Sequence, residues 1–200
     1  MNSAADEPFR RAFNRSDIAM VDGISLSLIS ALTPGVRLHK MATTDFAPAV
    51  FRRAARTLGR PVRVAIIGGT EDVSKGAAEA LNRETQVNVV YSTHGYWPTF
   101  TEPIERLNRL DLDILILGLG MPLEAHWLAE YQTEIDVPLV ITCGGWLRLL
   151  AGIEHRAPIL FQVIHLEWLW RLTTDRKRTA KRYGTGLVSV ANALVGHWKW

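Results

Sequence analysis

The sequence predicts an α/β protein with a Rossmann-like open, mainly parallel sheet, helices on both faces and a C-terminal helical appendage. Two observations carry this. Four short apolar, β-branched runs recur along the middle of the chain, each followed by glycine and then by a helical stretch. The glycine recurs at the carboxyl end of each of the four strands, and that regularity argues an open parallel sheet. A parallel sheet of this kind places a ligand crevice along the carboxyl ends of its strands.

The elements follow in order. Residues 1–16 are polar and mixed in charge and read as a flexible, weakly docked start. Asp17 to Ala31 is apolar apart from a break at Asp22-Gly23, and Thr33-Pro34-Gly35 is a turn. Val36 to Met41 fits a short strand. Phe46 to Leu58 fits a helix, with Phe46, Val50, Phe51, Ala54 and Leu58 on one face, Thr44 or Asp45 as its cap and Gly59-Arg60-Pro61 as its stop. Strands are expected at Val62–Ile67, Val87–Ser92, Asp113–Leu117 and Leu139–Thr142. The helices between them are expected at about Val73–Arg83, Glu102–Leu110 and Leu123–Glu134. The expected division is a domain over 17–160 and a basic, apolar appendage over 161–200.

Composition narrows the classes. With 48% hydrophobic and 22% charged residues the chain is globular. A net charge of +3 does not call for nucleic acid, but its distribution is uneven. From Ala151 onward eight Lys and Arg face three acids, a net of +5, so the rest of the chain is about −2. The single cysteine, Cys143, permits no internal disulfide and reads as a buried structural thiol. No signal-peptide pattern and no apolar run near the length of a membrane span is present, so a cytoplasmic protein with at most peripheral membrane contact is expected.

The candidate chemistry lies at glycines and cations. Gly68-Gly69 after the first strand resembles the start of a nucleotide-binding unit, although the full glycine fingerprint of dinucleotide enzymes is absent. Such a loop can hold a diphosphate through backbone N–H groups at a helix start. Gly95-Tyr96, Gly118, Gly120 and Pro122, and Gly144-Gly145 end the other strands. The stretch from Gly144 to Arg182 continues with Trp168 and Trp170, apolar with one polar edge, and with Arg156, Arg171, Arg176 and Arg178, whose guanidinium forks suit phosphate. Asp22 has two readings, a helix cap or a catalytic carboxylate at the mouth of the crevice. His94 and His126 lack partners at ligand spacing, so no metal is expected.

Five places, in order, resemble the WecG/TagA/CpsF glycosyltransferases, the N-acetylmannosaminyltransferase family of cell-surface polysaccharide synthesis. They are Asp22-Gly23, Ile66 to Gly69, Gly95-Tyr96, Gly118 to Pro122, and the stretch from Gly144 through Arg156-Ala157-Pro158 and Glu167-Trp168 to Tyr183. The resemblance implies an inverting transferase that takes a sugar from a UDP-sugar and places it on a polyprenyl-diphosphate-linked acceptor, with no metal or other cofactor. It implies Asp22 as general base. It implies a donor and diphosphate site made of Lys40, Gly68, Gly69, Gly95, Tyr96, Gly118, Gly120, Pro122, Glu124, Gly144 and Gly145. Arg156, Arg171, Arg178, Lys181 and Arg182 would meet phosphate or the membrane. Three places depart from the pattern: Lys40 stands where relatives carry Arg, Glu124-Ala125 replaces Gln-Glu, and Leu147-Arg148 replaces Phe-Asp. These leave the donor sugar open between an N-acetylmannosamine-like sugar and a hexose. They also leave open a non-catalytic nucleotide-sugar or lipid-diphosphate binding relative.

The C-terminal segment has two readings as well. Arg176 to Arg182 followed by Leu187 to Val195 and two terminal tryptophans is either a solvated basic helix with a short core helix or an interfacial element. Basic residues at an anionic membrane surface contribute about 1 kcal/mol each. The second reading places the protein at the inner face of the cell membrane. A sheet edge left open near the N-terminus would further allow self-association. No nucleic-acid partner is expected.

Overall fold

The computed structural model describes residues 6–20, 41–158, 161 and 170. The chain divides into two compact units, Glu7–His155 and a second containing the described residues Asp6, Arg156–Pro158, Phe161 and Trp170. The division falls between His155 and Arg156, a few residues before the boundary expected from sequence. In the second unit the Phe161 and Trp170 rings lie 5.7 Å apart, tilted by 51°.

The first unit runs α1 (Glu7–Arg15), α2 (Thr43–Leu58), β1 (Val62–Gly68), α3 (Glu71–Leu81), β2 (Val87–Thr93), α4 (Thr101–Asn108), β3 (Ile114–Gly118), α5 (Leu123–Tyr131), β4 (Leu139–Thr142) and α6 (Trp146–Leu150). The strands make one parallel sheet in the order β2-β1-β3-β4. This is the open, parallel α/β sheet that the apolar runs predict.

Period two in the strands sorts their side chains between two cores. Val62, Val64, Ile66, Ile114, Ile116 and Ile141 pack with α2, α3 and α6. Ala65, Ile67, Leu115 and Leu117 pack with α4 and α5. Both faces are therefore covered, which is why the strands read as mainly apolar runs, with Arg63 and Asn88 as interruptions. Right-handed crossovers account for the sides: α3 carries the chain from β1 outward to β2 on one face, and α4 brings it back across to β3 on the other.

Local chemistry explains the ends. The apolar stripe of α2 places Phe51, 2% exposed, against Trp146 of α6, with ring centroids 6.3 Å apart. The helix ends at Gly59, whose φ of 67° is the left-handed conformation that closes a helix without steric cost. Its start differs from expectation. Ala42 is the N-cap and no side chain caps it, because Asp45 lies inside the first turn, with its own N–H bonded to the Ala42 carbonyl at 2.9 Å. Asp45 there favours the positive end of the helix dipole instead.

Two further expectations are corrected. Residues Glu7–Arg15, read as part of a flexible start, form α1, which contacts α5 and buries Ala12 to 3% exposure. The polar residues that made this segment look undocked occupy the outer side of a single helix, with Glu7 paired to Arg10 and Arg11. After Gly145 the chain forms α6, a short helix not anticipated from sequence. It packs on α3 at Gly76, where an added Cβ would lie 3.0 Å from that of Ala151. The strand expected at 36–41 falls largely outside the described residues.

Candidate functional site at the carboxyl edge of the sheet

All four strands point the same way, so their outgoing loops gather at one edge. The strand order reverses direction at β1 and β3, the topological switch point where open α/β sheets bind ligands. Gly68 ends β1 and Gly118 ends β3, and the two are directly paired. From Gly69 the chain leaves towards α3, on one face. From Gly118 it leaves towards α5, on the other.

Backbone hydrogen bonds join these loops. Gly95 N–H donates to the Gly69 carbonyl at 2.9 Å, and Gly69 N–H donates to the Gly118 carbonyl at 3.2 Å. Cys143 N–H donates to the Leu117 carbonyl at 2.9 Å. Glu124 adds a side-chain tie. Its Oε1 accepts the N–H of Gly120 at 2.9 Å and the N–H of Gly144 at 2.8 Å.

The glycines expected to line the site separate into two kinds. Gly68, Gly95 and Gly118 serve internal packing. An added Cβ would lie 2.3 Å from the Gly118 carbonyl oxygen, 2.4 Å from Leu119 and 2.4 Å from Leu147, respectively. Gly120, Gly144 and Gly145 face open space, with nothing within 4 Å of an added Cβ. These three are where a ligand can approach the backbone closely. Gly69 falls with the first kind, because its Cβ would meet Val73 at 2.5 Å.

Beyond β2 lies an aromatic shelf. His94 stacks on Trp97 at 4.8 Å, Trp97 Nε1 donates to Thr93 Oγ1 at 3.2 Å, and His94 Nδ1 accepts the Tyr96 N–H at 3.1 Å. Tyr96 itself is 73% exposed. Sequence reasoning named Tyr96 but not Trp97 or Thr93. The run of a histidine and two aromatics just after a strand was the available signal.

The electrostatics of this edge are acidic. Glu71 and Asp72 occupy the first turn of α3, and Glu124 occupies that of α5. Glu124 is buried, 1% exposed, rather than turned towards a ligand as its sequence position suggested. Among the described residues, Lys75 pairs with Glu71 at 3.1 Å, and Arg148 pairs with Glu154. Cys143 lies buried in the same region. Burial and the charge of Glu124 push its thiol well above the ordinary range, so it stays protonated and inert. Asp22, Lys40, Arg171, Arg178, Lys181 and Arg182 lie outside the described residues, and Arg156 belongs to the second unit. Among the described residues, no helix is long and apolar enough to cross a membrane.

Among the described residues, Gly68-Gly69, Gly95-Tyr96, Gly118 to Pro122 and Gly144-Gly145 therefore gather at the switch-point edge. A family model described as "Glycosyl transferase WecG/TagA/CpsF family" matches residues 1–199. The chain belongs to this family.

Among curated relatives, three from Staphylococcus aureus strains MRSA252, NCTC 8325 / PS 47 and COL are each 27% identical over 121 residues. Each is named N-acetylglucosaminyldiphosphoundecaprenol N-acetyl-beta-D-mannosaminyltransferase. The matched region is 60% of this chain and 47% of each relative, so the chain spans about half the length of the relatives it matches.

Proposed function

We propose that this WecG/TagA/CpsF family member is an inverting glycosyltransferase that moves a sugar from a UDP-sugar to a polyprenyl-diphosphate-linked acceptor. The observation that carries the reading is the family match over residues 1–199. The relatives' names supply the lipid-linked acceptor class. The open backbone at Gly120, Gly144 and Gly145 is consistent with a ligand at the switch-point edge.

In the proposed reaction, the carboxylate of Asp22 takes the proton of an acceptor hydroxyl as that oxygen bonds to the anomeric carbon of the donor. The bond from that carbon to the UDP oxygen breaks on the opposite face, and UDP leaves with the electron pair. The leaving diphosphate needs positive charge. We assign that role to Lys40 and to the guanidinium and ammonium groups of Arg156, Arg171, Arg178, Lys181 and Arg182. The donor is an N-acetylmannosamine-like sugar or a hexose. The protein works at the inner face of the membrane, peripherally, with the basic C-terminal segment at the anionic surface.

The test is UDP release from a panel of UDP-sugars, with and without a lipid-diphosphate-linked acceptor, for the native chain and Asp22→Asn. Acceptor-dependent release from one donor, lowered about 10²–10⁴-fold by Asp22→Asn, is the expected result. UDP binding with no release from any donor would replace this reading with a nucleotide-sugar binding protein.

A further inference from the structure

Glu124 is a carboxylate in the first turn of α5, and only 1% of its surface is exposed. Its Oε1 receives two backbone N–H groups from two different loops: Gly120 at 2.9 Å, after β3, and Gly144 at 2.8 Å, after β4. Both glycines have positive φ, 79° and 52°, in segments with no regular hydrogen-bond ladder to hold them. Two N–H groups converging on one anionic oxygen form the arrangement by which loops hold phosphate. Here a side chain of the protein fills it. A charge buried this deeply is costly unless it is hydrogen-bonded, and hydrogen bonds to an ionised group are stronger than neutral ones.

We propose that Glu124 is a positioning residue. It acts as an internal anion that locks the β3 and β4 loops together and fixes the open backbone at Gly120, Gly144 and Gly145. The N–H groups of Gly120 and Gly144, natural candidates for a donor diphosphate, are thereby engaged within the protein. The diphosphate takes its donors elsewhere on the edge. Only this last consequence rests on the transferase reading. The lock follows from the two hydrogen bonds alone.

The experiment is residue-resolved amide exchange on the full-length chain and on Glu124→Ala, Glu124→Gln and Glu124→Asp. In Glu124→Ala the Gly120 and Gly144 amides should exchange about tenfold faster or more, the scale of a lost charge-assisted bond. The strand amides of Ile114–Leu117 should keep native exchange, which separates local release from general unfolding. Glu124→Gln presents an oxygen at the same reach without the charge, so both amides should exchange more slowly than in Glu124→Ala but faster than in the native chain. Glu124→Asp is one methylene too short to serve both loops and should release at least one, which keeps the test decisive where Glu124→Ala does not fold. Native exchange in Glu124→Ala, or no rescue by Glu124→Gln, would overturn the proposal. Titration of the native chain with UDP tests the transferase reading separately: a chain that binds no UDP defeats that reading and leaves the exchange result standing.

Discussion

Gly68 and Gly118 face each other across the β1–β3 register, with no room between them for a methyl group. A Cβ on Gly68 would lie 2.3 Å from the Gly118 carbonyl oxygen and 2.7 Å from its Cα. The obstacle is backbone in the middle of a sheet, so neither side can give way. Gly68→Ala should therefore cost roughly 3 kcal/mol, the upper end of overpacking penalties. Gly120→Ala meets open space and should cost only about 1 kcal/mol, from its φ of 79°. Urea unfolding of the two variants measures the difference, and equal midpoints would contradict the close β1–β3 approach.

At the other end of β1, Asp113 joins three groups. Arg60 reaches its two oxygens at 2.6 and 2.9 Å, and the Arg63 N–H reaches Oδ2 at 2.7 Å. Burial raises the Asp113 carboxyl, but the Arg60 and Arg63 interactions outweigh it and hold the group below its ordinary value. A carboxyl depressed in the folded state contributes stability above its unfolded pKa and loses it as pH falls through the folded one. Asp113→Asn should thus lower the urea midpoint at pH 7. The gap to the native chain should narrow below about pH 4, where the unfolded carboxyl begins to protonate. A gap that stays constant with pH would remove the ionic contribution.

Cys143 is 7% exposed, and burial together with the charge of Glu124 raises its thiol. Alkylation by iodoacetamide at pH 8 should leave the folded chain unmodified over hours and label it fully in denaturant, as read by mass spectrometry. Rapid labelling of the folded chain would show that the β4 loop opens readily.

The membrane reading has its own test. The native chain should sediment with anionic liposomes and less so with neutral ones or at high salt. Deletion of Lys177–Trp200 should abolish that binding. Equal sedimentation of both proteins would remove the basic segment from the membrane role.

Much of the fold follows from local pattern. The runs at Val62, Val87, Asp113 and Leu139 lie within a residue or so of the observed strands, because strands covered on both faces leave a mainly apolar trace. Gly59 was legible as the stop of α2 because only glycine takes its conformation without strain. The N-terminal helix was not legible: α1 is short and polar, and it gains its stability from contact with α5, far away in sequence.

The site divides the same way. The sequence by itself determined that glycines end the strands and that those strands form a parallel α/β sheet, since both depend on residue type and period. Only the tertiary structure decided which glycines do what. Gly68 and Gly118 are glycine because two strands meet there, whereas Gly120 and Gly144 lie open and donate their N–H groups to one buried carboxylate. Glu124 read from sequence as a charge facing a ligand. Its inward role depends on bringing the β3 and β4 loops side by side, and that neighbourhood is set by sheet order rather than by spacing along the chain.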